Sequence, residues 1–375
     1  MRYNVQHLPN WNLEAIGFIG ELTTNRSHMI IENHSIFGKE KDDLVNLFKP
    51  YLSYKNKLKD EVIPIYGKYS KLKNIFLMEK KLEKEDLDLG ITLIQYIEQK
   101  YKRPLSKENI DELIEEFILD KTRKLEEDKD IKSKVKSLSE LIELLETIDI
   151  ADGEKMLLIS IYKNRYEIIE EMQSFTEEVT PIFKKYFYLI EEQYNNSLED
   201  FKKIKDFKAM IEEIVPMKLI MDIEGNIIFT IFPFGGLYMR YFGDSLWISI
   251  GIYILILKKW KEEKGFQGAE LVSSLKALGD ATRLSIITKI AIRPMYIQEL
   301  AEELDLTPAT ISHHINTLLK SGLINIIVEK DTAKKIYYEV NKNKLKDLGS
   351  TIASLGDENT RGLDFSGKIA QIPIS

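Results

Sequence analysis

Leu271–Asn341 reads LVSSLKALGDATRLSIITKIAIRPMYIQELAEELDLTPATISHHINTLLKSGLINIIVEKDTAKKIYYEVN. Asp280 is a good N-cap for a run starting at Ala281, in which Leu284, Ile287 and Ile290 recur at helical spacing. Leu300, Ala301 and Leu304 mark a short second helix. Asp305-Leu306-Thr307-Pro308 is a start signal for a third: Thr307 can cap it, and Pro308 falls where a missing N–H costs nothing. Ile311, Ile315, Leu318 and Leu319 then form an apolar helical stripe, and the opposite face presents Ala309, Ser312, His313, Asn316 and Lys320. Gly322 stops the helix from the C′ position. Leu323–Glu329 and Lys335–Val340 alternate around a polar tip at Lys330–Lys334, the signature of a hairpin. A short helix with an exposed polar face, paired with another helix across a tight connection, is the geometry that enters a major groove.

This stretch closely resembles the winged helix-turn-helix domain of the arsenic-repressor (ArsR) family of bacterial transcriptional regulators. The residues that carry the resemblance are Ala277-Leu278-Gly279-Asp280-Ala281-Thr282-Arg283-Leu284, Glu299-Leu300-Ala301 in the positioning helix and Ser312-His313-His314 in the reading helix. Leu318, Ser321-Gly322-Leu323 and the hairpin's Tyr338 complete the pattern, which covers roughly 80 of the 375 residues. Ala281 departs from the family's usual proline, and alanine is also a good first-turn residue. The resemblance implies a homodimeric regulator of a palindromic operator in double-stranded DNA, usually a repressor. It puts the dimer interface on the flanking helices, here Ala269–Leu278 and Lys344–Leu355, and DNA contact on Thr307, Ala309, Thr310, Ser312, His313, His314, Asn316 and Lys320. Asn316 is chemically able to pair with adenine and Ser312 with several bases. His313 lies on the outward face, whereas His314 lies nearer the core stripe. The wing adds Lys330, Lys334 and Lys335 for phosphates.

Metal sensing, the family's best-known role, is not expected here. Its thiolate site needs cysteines on the positioning helix, which reads Tyr296-Ile297-Gln298-Glu299-Leu300-Ala301, and the chain contains no cysteine. The second family site needs Asp and His on the C-terminal helix, and Asn343–Leu355 has no histidine. His313 and His314 are adjacent, so they point about 100° apart on a helix and cannot easily share one ion. His28 and His34 are too oddly spaced for a common ligand pair, and His7 stands apart. Neither a metal nor any other cofactor is expected.

At 375 residues and 43.6 kDa the chain can hold two or three domains with a sizeable core. The opening MRYNVQHLPNWNLE has no continuous apolar core and does not read as a signal peptide. The longest apolar run, Leu246–Leu257, falls short of the about 20 residues a membrane span needs, so it reads as a buried strand or helix. The expectation is a soluble cytoplasmic protein. Net charge is −7, yet residues 266–348 carry 11 Lys or Arg against 10 Asp or Glu, so the acidic excess lies in the N-terminal two-thirds. Local cation placement, not the total, governs phosphate affinity.

The fold class expected is mainly α: a helical domain at 1–216, a small β-rich segment packed on it at 217–262, a winged helix-turn-helix at 266–355 and a flexible tail at 356–375. Apolar residues recur at helical spacing in Lys132–Ile148 and Pro181–Val215, and Pro64, Pro104, Pro181 and Pro216 are expected breaks. Ser106-Lys107-Glu108-Asn109 and Asp152-Gly153-Glu154 read as helix starts. Lys218–Asp222 and Ile227–Phe232 flank Ile223–Asn226, which reads as a hairpin turn. The N-terminal part resembles, weakly, an α-helical domain of unknown activity found ahead of this winged helix in some bacterial regulators. Its aromatic residues (Tyr162, Tyr166, Phe183, Tyr186, Phe187, Tyr188, Tyr194) read first as core. An organic small-molecule or protein effector is expected to act through this region. No phosphate loop, nucleophile elbow or His-Glu-x-x-His occurs, so an enzyme is not expected. The competing reading is a protein-interaction module whose winged helix no longer binds DNA.

Overall fold

A computed structural model describes residues 2–82, 89–100, 105–123, 135–148, 150–214, 217–219, 224–232, 234–242, 245–264, 269–328 and 336–354. Its strands are β1 (Arg2–Gln6), β2 (Met217–Leu219), β3 (Glu224–Thr230), β4 (Leu237–Phe242), β5 (Ser245–Gly251), β6 (Ile324–Val328) and β7 (Tyr337–Val340). One sheet has the order β1-β3-β5-β4, parallel except for the antiparallel edge pair β4–β5. The second has the order β2-β6-β7. The hairpin expected between Lys218–Asp222 and Ile227–Phe232 does not form. Glu224-Gly225-Asn226 lies inside β3, paired in register with both β1 and β5. β2 instead lies parallel to β6, with Met217 opposite Ile326 and Leu219 opposite Val328. A central strand buried on both faces needs an unbroken apolar run, and Ile227-Ile228-Phe229 supplies it. The turn-like Glu-Gly-Asn therefore only starts that strand. The run Leu246–Leu257 divides between β5 and the helix Ile254–Lys264.

The sheet β1-β3-β5-β4 shares one core with the N-terminal helices, so the boundary expected at 216/217 divides a continuous body. At its centre, the helix Trp11–Thr24 is buried from Leu13 through Glu21, on all sides rather than along a stripe. Gly17 permits this: a Cβ there would stand 2.4 Å from the carbonyl oxygen of Phe232. One turn earlier, both carboxylate oxygens of Glu14 accept backbone N–H groups, from Ile231 and Phe232, at 2.8 Å each. Burial pushes the Glu14 carboxyl up to about 8, against the opposing pull of those two amides. Glu21, on the same face, is paired with Lys55 of the long helix Lys41–Tyr66. Phe18, Phe48, Tyr51, Tyr54, Phe183, Phe232, Phe234 and Tyr253 fill the space around these groups, largely edge to face.

Ser106 does open the helix Lys107–Arg123, its Oγ accepting from the Asn109 amide at 3.1 Å. Asp152 begins Asp152–Lys163, although Ala151 holds the cap position. Ser137 caps Leu138–Glu146 in a capping box with Glu140. Pro64 and Pro181 do not break their helices: they lie inside Lys41–Tyr66 and Arg165–Tyr186. Each loses one backbone bond, and burial of Leu58 and Val62 before Pro64, and of Val179 and Phe183 around Pro181, keeps the helix going. Pro104 and Pro216 lie outside the described residues, as does the tail expected at 356–375. No described helix is long and apolar enough to cross a membrane.

The winged-helix body has a separate core, formed by Leu271, Ile286, Ile287, Ile290, Leu300, Ile311, Ile315, Leu318, Leu323 and their neighbours. Its helices are Ala269–Leu278, Ala281–Ile292, Ile297–Leu304, Pro308–Lys320 and Lys342–Ser354. Asp280 caps the second through the Arg283 amide. Leu284 departs from the stripe assigned to it and is 52% exposed, because Ile286, Ile287 and Ile290 take the inward face. Gly322 follows the reading helix at φ +69°, with no atom nearer than 3.8 Å to where a Cβ would stand. The penalty for Gly322→Ala is therefore conformational and not steric. It should destabilise the winged-helix body by about 1 kcal/mol in urea titrations. No loss would mean that the turn can relax to negative φ.

Candidate nucleic-acid interface

Thr307 places the reading helix, Pro308–Lys320. Its backbone is extended, its side chain accepts from the Thr310 amide at 3.2 Å, and its hydroxyl meets that of Thr310 at 2.9 Å. The preceding helix ends on Asp305, a non-glycine residue in the left-handed region at φ 52°. This residue turns the chain so that Leu306 N–H can bond back to Ala301. Aspartate tolerates such a turn better than most side chains. Nothing in the run of residue types marked Asp305 as the pivot. Its position immediately after the last apolar residue of the positioning helix was the available signal.

Along the reading helix, Ile311, Ile315 and Leu318 are buried. Thr307, Ala309, Thr310, His313, Asn316 and Lys320 are exposed, and Ser312 is half-buried between the two faces. The side chains of Asn316 and Lys320 make no hydrogen bond or ion pair among the described residues. His314 diverges from this group: it turns inward, and its ring nitrogen stands 3.7 Å from Asp280 of the neighbouring helix. Lys330, Lys334 and Lys335, expected at the wing tip, lie outside the described residues. The strands that carry the tip are in place, with Ile324 opposite Val340 and Ile327 opposite Tyr337.

Other contacts fix the helices relative to the hairpin. Met295 bridges to Tyr338 by a reciprocal pair of backbone hydrogen bonds, and the Tyr296 ring meets Tyr337 edge on at 5.5 Å. The half-buried Glu299 and the exposed Glu303, acids near the reading helix in sequence, are tied back by Arg293 and Lys289. The Lys289 ammonium holds the Glu303 carboxyl below its usual range. These pairs neutralise acids that would otherwise oppose a polyanion.

The geometry is matched by what the chain is similar to. Residues 280–325 match the model of the arsR family of bacterial regulatory proteins. An uncharacterized HTH-type transcriptional regulator of Methanocaldococcus jannaschii is 34% identical over 87 residues, which are 23% of this chain and 91% of that protein. The arsenical resistance operon repressor of Staphylococcus aureus is 28% identical over 92 residues, 24% of this chain and 86% of that one. No solved structure matches the chain. This chain thus covers both relatives nearly end to end, and the chain belongs to the arsR family of bacterial regulatory proteins.

Proposed function

We propose that this DNA-binding transcriptional regulator acts in the cytoplasm as a homodimeric repressor of a palindromic operator, with no catalytic activity, and that its N-terminal body controls release. The observation that supports DNA reading best is the outward face of Pro308–Lys320, with Asn316 and Lys320 uncommitted beside Ser312 and His313. A single reading helix spans only a few base pairs, so two copies are needed for a useful site. The flanking helices Ala269–Leu278 and Lys342–Ser354 supply the dimer contact in this reading. Duplexes selected from a random library should therefore contain two inverted half-sites separated by about 10–10.5 bp or a multiple of it. Light scattering should give a dimer, and a monomer both free and on DNA would overturn the reading.

Control by the N-terminal body is supported by β2. This strand follows the helix Phe207–Ile214, whose Phe207 packs on Tyr3 and Phe201, and it extends the sheet of the wing. A small displacement of the N-terminal body would be passed to the strand that leaves the reading helix. Coupling of about 1–3 kcal/mol is enough for a regulator. A fragment starting at Phe266 should still bind the selected duplex, more weakly, and should no longer respond to the effector that releases the full chain. A fragment that responds equally would place the effector on the winged helix.

A further inference from the structure

The reading helix touches the start of an earlier helix at a point that its outward face does not use. His314 is 15% exposed, and its Nδ1 stands 3.7 Å from Asp280 Oδ1. That nitrogen has no hydrogen-bond partner. The pair is therefore one proton and less than an ångström away from a charge-assisted hydrogen bond. Asp280 is itself held in place, since its Oδ1 accepts the Arg283 amide at 2.9 Å and its Oδ2 lies 3.8 Å from the Arg283 guanidinium. Arg283 then donates to the carbonyls of Ala277 at 2.6 Å and Lys276 at 2.9 Å, which end the helix Ala269–Leu278. A continuous polar chain thus runs from the reading helix, through the cap of the second helix, to the end of the first.

We propose that Asp280 is a positioning residue for DNA recognition, anchoring the reading helix through a protonated His314 when that helix lies on DNA. This inference rests on the DNA-reading function proposed above. Nearby phosphates favour the imidazolium, whose Nδ1–H can then donate to Asp280. The Arg283 amide, first among several causes, holds the Asp280 carboxyl below its ordinary value, so the acceptor is ionised throughout the histidine range. Among the described residues, Asp280 is the acid in ion-pair range of His314, with neither Ile297–Leu304 nor β6 adding one. Arg283 opposes the imidazolium by like charge from behind Asp280. His313, on the same helix, is exposed, and its ring lies 6.0 Å from that of His314.

The sign follows from linkage. A histidine whose pKa is higher on DNA than off it takes up a proton on binding. Affinity is then greatest below the free-protein value and is lost as pH rises through the bound value. Asp280→Asn separates the cap from the charge, because asparagine caps a helix as well as aspartate does.

The test measures full-length protein on two duplexes by fluorescence anisotropy from pH 6 to 8 at fixed salt. One duplex is selected from a random library by the unsubstituted protein, and the other is a random sequence of equal length. Preference for the selected duplex should fall about threefold to tenfold more over this range in the unsubstituted protein than in Asp280→Asn. His313 is present in both and cancels in the comparison. His314→Gln should reproduce the shallower profile, and combining it with Asp280→Asn should add nothing further. Parallel pH profiles in all proteins, or additive effects of the two substitutions, would overturn the proposal. So would an Asp280→Asn loss equal at every pH and matched by a lower unfolding midpoint, which is what a purely structural cap predicts. If the unsubstituted protein selects no duplex, the DNA-reading function fails first and this inference falls with it.

Discussion

Asn316→Ala is expected to cost about 1–3 kcal/mol of discrimination at one base pair in each half-site, and Ser312→Ala to act at a different pair. Asn316 lies on the outward face, and Ser312 at its half-buried edge, of a helix whose inward face is fixed by Ile311, Ile315 and Leu318. Their loss should therefore leave folding intact and change only which duplex is preferred. In a symmetric dimer the effect is felt twice, once per half-site. Lys320→Ala should behave differently, weakening selected and random duplexes alike and lowering the salt dependence by about one phosphate contact. Binding isotherms for the three variants on both duplexes at several salt concentrations separate these outcomes. Unchanged affinity in all three would mean that this face does not meet DNA.

Lys55→Ala should be among the most destabilising single substitutions in the N-terminal body. The Lys55 ammonium, whose side chain is 7% exposed, donates to Glu21 Oε1 at 2.5 Å, Ser27 Oγ at 2.9 Å and Asn25 Oδ1 at 3.1 Å. These bonds use all three of its protons. Glu21 is fully covered, and its Oε2 has no protein partner. Removing the lysine leaves a buried carboxylate without its counter-ion, which typically costs about 3–5 kcal/mol. Lys55→Met combined with Glu21→Gln should recover most of that loss, because the charge and its partner leave together. Urea unfolding, followed by the fluorescence of Trp11, Trp247 and Trp260, reads both variants. A loss near zero for Lys55→Ala would mean that water reaches the pair.

The winged helix could be read from one stretch of residues because its signals are local. A capping side chain, a proline at the first helical position and a glycine at the C′ position each act within a few residues, and Asp280, Thr307, Pro308 and Gly322 do so as expected. The outward faces of Thr307, Ala309, Thr310, His313, Asn316 and Lys320 follow from helical period alone. Inside the N-terminal body the same reasoning misplaced Pro64 and Pro181, because burial around a proline can outweigh one missing backbone bond. It also took Glu-Gly-Asn for a turn where long-range pairing makes a strand.

Residue types and their local order thus determined the order of the winged-helix elements, the outward face of Pro308–Lys320 and the absence of the family's cysteine ligands. Only the tertiary structure decided which distant pieces meet. It brought β1 from the N-terminus beside β3, put β2 on the edge of the wing, set Lys55 against Glu21 and turned His314 toward Asp280. The physical reason is range: a cap or a helical stripe is satisfied by neighbours along the chain. A strand edge or a buried charge must find its partner across it, and many partners would satisfy the residue type equally well.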